Sequence, residues 1–361
     1  MIETLKLYHL RGLEEVSLTL GSSINLFVGA NGAGKTSVLE AVTLLSHGRS
    51  FVTARAKSLI HFDANELTVY AKIHRTEGSY QLGCQVRLDG DRRLKFNGVA
   101  AKGQAELSRV LPVITIAPHC ADLVIGSPGD RRRFLDWGAF YCANGEMAVY
   151  AGLRKVLLQR NAVLRSGKAD KSHLDSWDQQ IVAFGVVVDR WRAQFLAELE
   201  PVFSLVIQEL GVGLEFELRY QPGWLGGSLF EARAESRARD IRTGVTQVGP
   251  HRADFCLLRG ERRASESLSR GQLRAVNLAM VLAQLRVAQK AGVEPLVCMD
   301  DPGAELDGVL QASLWEQVLK AETQVLVTAI SVARAGIGVG TVDSGAMFHV
   351  KHGKITNLKE E

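Results

Sequence analysis

Gly29-Ala30-Asn31-Gly32-Ala33-Gly34-Lys35-Thr36 fits the pattern G-x-x-x-x-G-K-[ST], in which a glycine-rich loop turns backbone N–H groups onto phosphate oxygens. The flanks decide how it is read. Ile24 to Val28 is a mostly apolar run that reads as a buried strand, and residues 37–46 (SVLEAVTLLS) place Val38, Ala41, Val42 and Leu45 at helical spacing. Strand, tight turn and helix N-terminus are the parts a phosphate cradle requires, because the helix end adds partial positive charge. The expected nucleotide-binding residues are therefore Gly29, Ala30, Asn31, Gly32, Ala33, Gly34, Lys35, Thr36 and Ser37. Lys35 is expected to reach the β- and γ-phosphates and the Thr36 hydroxyl to ligate Mg2+. The bland alternative, a glycine-rich turn that binds nothing, leaves the flanking strand and helix unexplained.

Far downstream, Pro295 to Met299 reads as a second buried strand, ending on Asp300-Asp301. Paired carboxylates at a strand end, in a chain with a phosphate loop, form a Walker B element. Asp300 is expected on Mg2+, directly or through water, and Asp301 where a carboxylate polarises the attacking water. Some thirty residues upstream stands Ser267-Leu268-Ser269-Arg270-Gly271-Gln272, followed by a helical run from Leu273 to Gln289. Ser269 and that helix start form another anion site. Ala304-Glu305-Leu306-Asp307 follows the aspartates closely, and residues 324–330 (QVLVTAI) make a further buried strand.

Composition sets the outer bounds. With 361 residues, 46% apolar and 23% charged, the chain is that of an ordinary globular protein of two or three domains. A net charge of +4 permits nucleic-acid binding without demanding it, so any DNA surface must be local. The five cysteines are scattered and show no C-x-x-C spacing, as expected of reduced thiols in a cytoplasmic protein. Charged residues through the first twenty positions argue against a signal peptide, and no apolar run approaches membrane-spanning length.

Between the motifs, residues 2–8 and 13–20 alternate apolar and polar, and 66–75, 80–88 and 93–97 read as an antiparallel meander. Leu111 to Ala117 is another apolar strand. From His47 to Phe62 there is no acidic residue, and Arg49, Arg55 and Lys57 fall there. Pro128 is placed to start a helix through Trp137, with Arg131 to Arg133 near its N-terminus. Cations there want an anionic partner, either a nearby carboxylate or a phosphate. Residues 145–243 read as helical. Leu174, Trp177, Ile181, Phe184, Val188, Trp191 and Phe195 step by 3 and 4 in alternation, a seam for intramolecular helix packing, and Pro201 is expected to break or kink it. Residues 154–171 carry Arg154, Lys155, Arg160, Arg165, Lys168 and Lys171 against one acid, Asp170. This is either a solvated helix face or part of a DNA-facing surface.

The L-S-x-G-Q stretch resembles the signature of ABC ATPases, and Ala304 to Asp307 resembles their D-loop. In that family the signature closes over the γ-phosphate held by the other subunit's P-loop. About 230 residues separate Lys35 from the signature, roughly twice the spacing in transporters and far less than in SMC proteins with their long coiled coils. With GANGAGKTSVLEA, PHCADLVIGSPGDRRRFLD and VGPHRAD, the whole chain closely resembles the RecF family of bacterial recombination mediators.

The resemblance implies an α/β ABC-ATPase head, a mixed P-loop sheet plus an antiparallel β meander, over 1–117 and 245–361, with a mainly helical lobe inserted at 118–244. It further implies ATP and Mg2+ as ligands, and Lys35 and Asp301 as catalytic residues; Asp301 carries one methylene fewer than the glutamate common in transporters, so slow hydrolysis is expected. An ATP-dependent homodimer would hold double-stranded DNA near single-strand gaps, with Ser269, Arg270, Gly271 and Gln272 acting in trans. RecR and RecO are the implied partners in loading RecA, and no membrane is involved. Arg49, Arg55, Lys57, Arg154, Lys155 and Arg160 are the candidate DNA contacts. The alternative functions are the ATPase subunit of a permease and an ATP-dependent interaction module without DNA contact.

Departures narrow the expectation. His119 stands where the family pattern usually has an acid, which leaves its role open. Thr328 or a neighbour occupies the place of the transporters' switch histidine. Cys298 interrupts the aliphatic Walker B strand, and Gly308-Val309-Leu310 lacks the basic residue expected after the D-loop. Arg270 agrees with the RecF type.

Overall fold

A computed structural model describes the chain except for residues 54, 118–121, 168–170, 305, 338–344 and 359–361 and the side chains of residues 171–173. Two compact units result, one of Met1–Cys120 with Gly292–Glu361, the other of Ala121–Ala291.

The first unit holds two sheets with a helix packed against both. Alternating apolar residues make the outer sheet, in the order β2 (Leu13–Thr19), β1 (Ile2–Leu10), β4 (Glu66–Arg75), β5 (Gly78–Arg87), β6 (Arg92–Phe96) and β7 (Val99–Ala100), all antiparallel. Leu5, Leu7, Leu67, Val69, Ala71 and Leu82 point from it into the core. The inner sheet has the order β15 (Lys354–Asn357), β14 (Ala346–Lys351), β3 (Ile24–Val28), β13 (Val325–Ala329), β12 (Leu296–Asp300) and β8 (Val113–Ile116), parallel except for β15. Its central strands are buried on both faces, as a sheet covered on both sides requires.

Helix α1 (Lys35–His47) packs against strands of both sheets, and Val38, Leu39, Val42, Leu44 and Leu45 are fully buried. At about 1.5–3 kcal/mol per side chain, that burial makes α1 a rigid platform. Its last carbonyls are met by side chains: Arg92 Nη1 donates to Gly48 O (2.9 Å), and Gln104 Nε2, from α2 (Gln104–Val110), donates to Leu45 O and Ser46 O (2.6 and 2.8 Å). Helices α9 (Gly308–Lys320) and α10 (Val332–Ala335) complete this unit.

The second unit is built on helices α3 (Pro128–Tyr141), α4 (Met147–Arg165), α5 (Lys171–Glu209), α6 (Leu229–Thr243), α7 (Ala264–Ser267) and α8 (Arg270–Lys290). As expected, Leu174, Ile181, Val188 and Phe195 are buried along the seam of α5; Ile181 and Val188 pack with Leu153 and Val156 of α4, and Phe195 packs against Phe134 of α3. Pro201, expected to break or kink that helix, lies within α5. A helix-interior proline costs about 3 kcal/mol, and the fully buried Leu199, Phe203 and Val206 around it outweigh that.

The helical lobe was also expected to end at residue 244. The compact unit instead runs to Ala291, because α8 packs along α5. A strand lies inside the stretch read as helical: β9 (Glu217–Gln221) joins β10 (Asp254–Arg259) and β11 (Arg262–Arg263) in a small antiparallel sheet.

The three arginines at the start of α3 have protein partners. Arg131 makes a bidentate pair with Asp254 (2.6 and 2.9 Å), Arg132 Nη1 donates to Ala253 O (3.0 Å), and Arg133 pairs with Asp130. Ser127 and Asp130 close a capping box at the same helix end. Arg192 Nε and Nη2 reach Asp136, and its Nη1 donates to Pro250 O (2.6 Å). The arginine-rich motif and the VGPHRAD stretch therefore lock to each other.

Candidate nucleotide site

The P-loop joins β3 to α1 at the carboxyl end of the parallel strands, where open α/β sheets bind ligands. Two glycines are required by geometry. A Cβ on Gly29 would stand 2.1 Å from Val350 O on β14, and Gly34 takes φ 110° as the left-handed cap of α1. The rim residues Ala30, Asn31 and Gly32 are exposed, while Lys35 and Ser37 are buried. No acidic residue occupies the first turn of α1, so its positive end is free to meet an anion.

Lys35 Nζ donates to Gly29 O and Ala30 O, each at 2.9 Å, which folds the ammonium into the loop. Burial lowers its pKa, and the charges of Asp301 and Asp300 oppose that. Thr36 Oγ1 donates to both Asp300 oxygens (2.9 and 3.2 Å), although the two residues are 264 positions apart. The register explains the meeting: Phe27 pairs with Thr328, and Thr328 with Asp300, across adjacent parallel strands. Thr36 and Asp300 are thus an oxygen pair of the kind Mg2+ takes, close enough for one cation to replace the hydrogen bond between them.

Thr328 is the residue that sequence reasoning missed, having noted it only as a non-histidine. It is fully buried. Its Oγ1 donates to Asp300 Oδ1 (2.6 Å) and accepts from the Asp301 N–H (3.0 Å). The signal was its place one residue from the end of a buried strand, but only strand order reveals which carboxylate it meets. Asp301 adopts φ 45°, a left-handed conformation uncommon outside glycine, and its Oδ1 is buried with no hydrogen-bond partner among the described residues. A buried carboxylate oxygen with a free lone pair beside a phosphate cradle is suited to accept a proton from water.

After the aspartates, Gly303 fits because a Cβ there would meet Arg334 O at 2.0 Å. Ala304 is exposed, Leu306 half-buried, and Asp307 caps α9 by accepting from the Leu310 N–H (2.9 Å). Glu305 and His119 lie outside the described residues.

The signature belongs to the second unit. Ser269 caps α8 in a capping box: its Oγ accepts from Gln272 N–H (3.3 Å), and Gln272 Oε1 accepts from Ser269 N–H (3.0 Å). Ser269, Arg270 and Gly271 are exposed. Because Ser269 Oγ accepts the capping bond, its own hydrogen stays available for an anion.

The basic candidates divide. Arg55, Lys57, Arg154 and Lys155 are exposed and Arg49 is half-buried. Arg160, expected on a solvated or DNA-facing surface, is fully buried. It pairs with Asp178 (2.9 Å) and Asp240 (3.0 Å) and donates to Thr246 Oγ1 (2.9 Å), while the equally buried Arg233 shares both carboxylates. Arg160 falls on the same face of α4 as Leu153, Val156 and Leu164, so helical geometry turns it inward. Among the described residues no helix is long and apolar enough to cross a membrane.

Comparison with known proteins bears on the family and the fold. A family model described as the RecF/RecN/SMC N terminal domain matches residues 1–339. The DNA replication and repair protein RecF of Pseudomonas entomophila is 35% identical over 353 residues, covering 97% of this chain and 96% of its own. That of Hahella chejuensis is 32% identical over 364 residues, covering 97% of each. The fold is that of a solved structure of the recombination mediator protein RecF with ATP, of the RecFOR pathway. Its TM-score is 0.89 at 23% identity, over 99% of this chain and 97% of that one. An SMC head bound to the C-winged helix domain of ScpA follows at TM-score 0.59 and 16% identity, over 99% and 97% of the two chains.

Proposed function

We propose that this chain, which belongs to the RecF family of DNA replication and repair proteins, is an ATP-gated DNA clamp whose slow hydrolysis resets it. The observation that carries the ATP-binding core of this reading is the preassembled contact of Thr36, Asp300 and Thr328, with Asp301 next in the chain. Lys35 binds the terminal phosphates, and the N–H groups of the loop and of the start of α1 hold the remaining oxygens. Thr36 and Asp300 would hold Mg2+, which would supply neutralisation of the phosphate charge. Asp301 takes the proton of the attacking water.

In this reading the cradle covers one side of the phosphates. Ser269 and the exposed start of α8 form a second anion site, and in this reading it closes over the nucleotide of a second copy. ATP binding is then linked to dimerisation. The dimer presents Arg49, Arg55 and Lys57, with Arg154 and Lys155, to double-stranded DNA near a gap, in a pathway shared with RecO and RecR that ends in RecA loading. The absence of acids from His47 to Phe62 supports the first of these surfaces.

The test is the mass in solution with and without ATP·Mg2+ and duplex DNA, for the parent and Lys35→Arg. A shift to twice the chain mass in the parent, lost in the variant, is expected. Undiminished ATP-dependent dimerisation and DNA binding by Lys35→Arg would sink the reading. Stimulation of hydrolysis by DNA separates it from a permease ATPase.

A further inference from the structure

Glu40 lies on α1, five residues beyond Lys35 and about 7.5 Å along the same helix. Its side chain is 4% exposed, which a glutamate tolerates only when paired. Arg11 grips it with Nη2 and Nε (2.9 and 3.2 Å), and Ser50 Oγ donates to its Oε1 (2.7 Å). Both partners lead to the acid-free segment. Ser50 Oγ accepts the Val52 and Thr53 N–H groups (2.9 and 3.3 Å), which sets the segment's first turn. Arg11 Nη1 donates to Ser58 O (3.1 Å), and its backbone N–H donates to Leu59 O (2.7 Å). Arg11 does this from a φ of 56°, an unusual conformation for arginine.

One buried carboxylate therefore holds the start of the segment directly and its end through Arg11. The exposed Arg55 and Lys57 lie between these two anchors. Stability alone gives little reason for such a device, since a well-packed apolar pair commonly serves as well as a buried ion pair. A charged clamp does provide a connection that follows α1 as a rigid body.

We infer that Glu40 is a positioning residue that couples phosphate binding at Lys35 and Thr36 to the placement of Arg55 and Lys57. Phosphate seats against the N-terminus of α1, and Glu40 carries the resulting displacement to both anchors of the basic segment. The inference rests on the ATP-binding reading above and adds to it the route by which ATP sets DNA affinity.

The test uses the full chain, Glu40→Gln and Ser50→Ala, neither of which touches the cradle. Amide hydrogen exchange and duplex-DNA affinity are measured with and without ATP·Mg2+. In the parent, ATP should slow exchange across the P-loop and also at Val52, Thr53 and Ser58. Both variants should keep the first effect and lose the second, and their ATP-stimulated DNA affinity should fall about tenfold, within the usual range for coupled sites. Parental slowing at Val52, Thr53 and Ser58 in both variants overturns the inference. So does loss of ATP binding by Ser50→Ala, which would make the network a support of the P-loop itself. A parent that fails to bind ATP overturns the functional reading, and the inference with it.

Discussion

Thr328→Val replaces one side chain by its near-isostere and removes only a hydroxyl. Valine keeps the β-branched shape, so strand β13 retains its conformation. Two hydrogen bonds disappear, one to the Asp300 carboxylate at 2.6 Å and one from the Asp301 N–H at 3.0 Å. Asp300 keeps Thr36, and the Asp301 N–H keeps Thr328 O at 3.1 Å, so the fold survives. What is lost is the tie that orients both aspartates together. A hydrogen bond to a charged group is worth about 1.5–3 kcal/mol. At about 1.4 kcal/mol per decade, that slows hydrolysis roughly 10- to 150-fold. Single-turnover hydrolysis of bound ATP measures it, with ATP·Mg2+ affinity and thermal midpoint recorded alongside. Thr328→Ser restores the hydroxyl and should recover most of the rate. Parental hydrolysis in Thr328→Val, or no recovery in Thr328→Ser, would show that the hydroxyl does not position the carboxylates.

Asp178→Ala removes a carboxylate that Arg160, Arg233 and Arg237 share. Two fully buried guanidiniums are left with Asp240, at a cost of about 3–5 kcal/mol; urea unfolding should show this, against a change within about 0.5 kcal/mol for the exposed Lys155→Ala. In Gly29→Ala the new methyl would overlap Val350 O, so ATP affinity measured by titration should fall sharply while the far-ultraviolet dichroism stays parental. Burial holds His47 and His251 near a pKa of about 4, against the ordinary 6.5. The folded state thus binds fewer protons than the unfolded state, and stability present above pH 6.5 should drain away as pH falls toward 4, by about 3 kcal/mol for each histidine. Urea midpoints between pH 7.5 and 4.5 report this loss, and replacing either histidine by glutamine should flatten the profile.

Much of the nucleotide site was legible because its parts are local. A phosphate cradle depends on glycines, a lysine and a helix start within eight consecutive positions, so spacing alone locates Gly29 to Thr36. The buried strands were legible for the same reason, as runs such as Ile24–Val28 carry their burial in their composition. Even the α5 seam follows from steps of 3 and 4. Arg160 marks the limit of this reasoning. A count of charges along residues 154–171 treats all its members alike, whereas a helix turns one position to the core and its neighbours to water.

By itself, the amino-acid sequence determined the motif order and the residues placed to meet phosphate. It also determined the resemblance to the RecF family. Those properties reside in short segments whose chemistry does not depend on distant partners. Only the tertiary structure decided what depends on strand order and helix rotation. That includes the meeting of Thr36, Asp300 and Thr328, the mutual locking of the DRRR and VGPHRAD stretches, and the clamp of Glu40 on both ends of a basic loop. Each joins residues far apart in the chain, and a pairing of that kind is set by which strands lie side by side and by which way each helix faces.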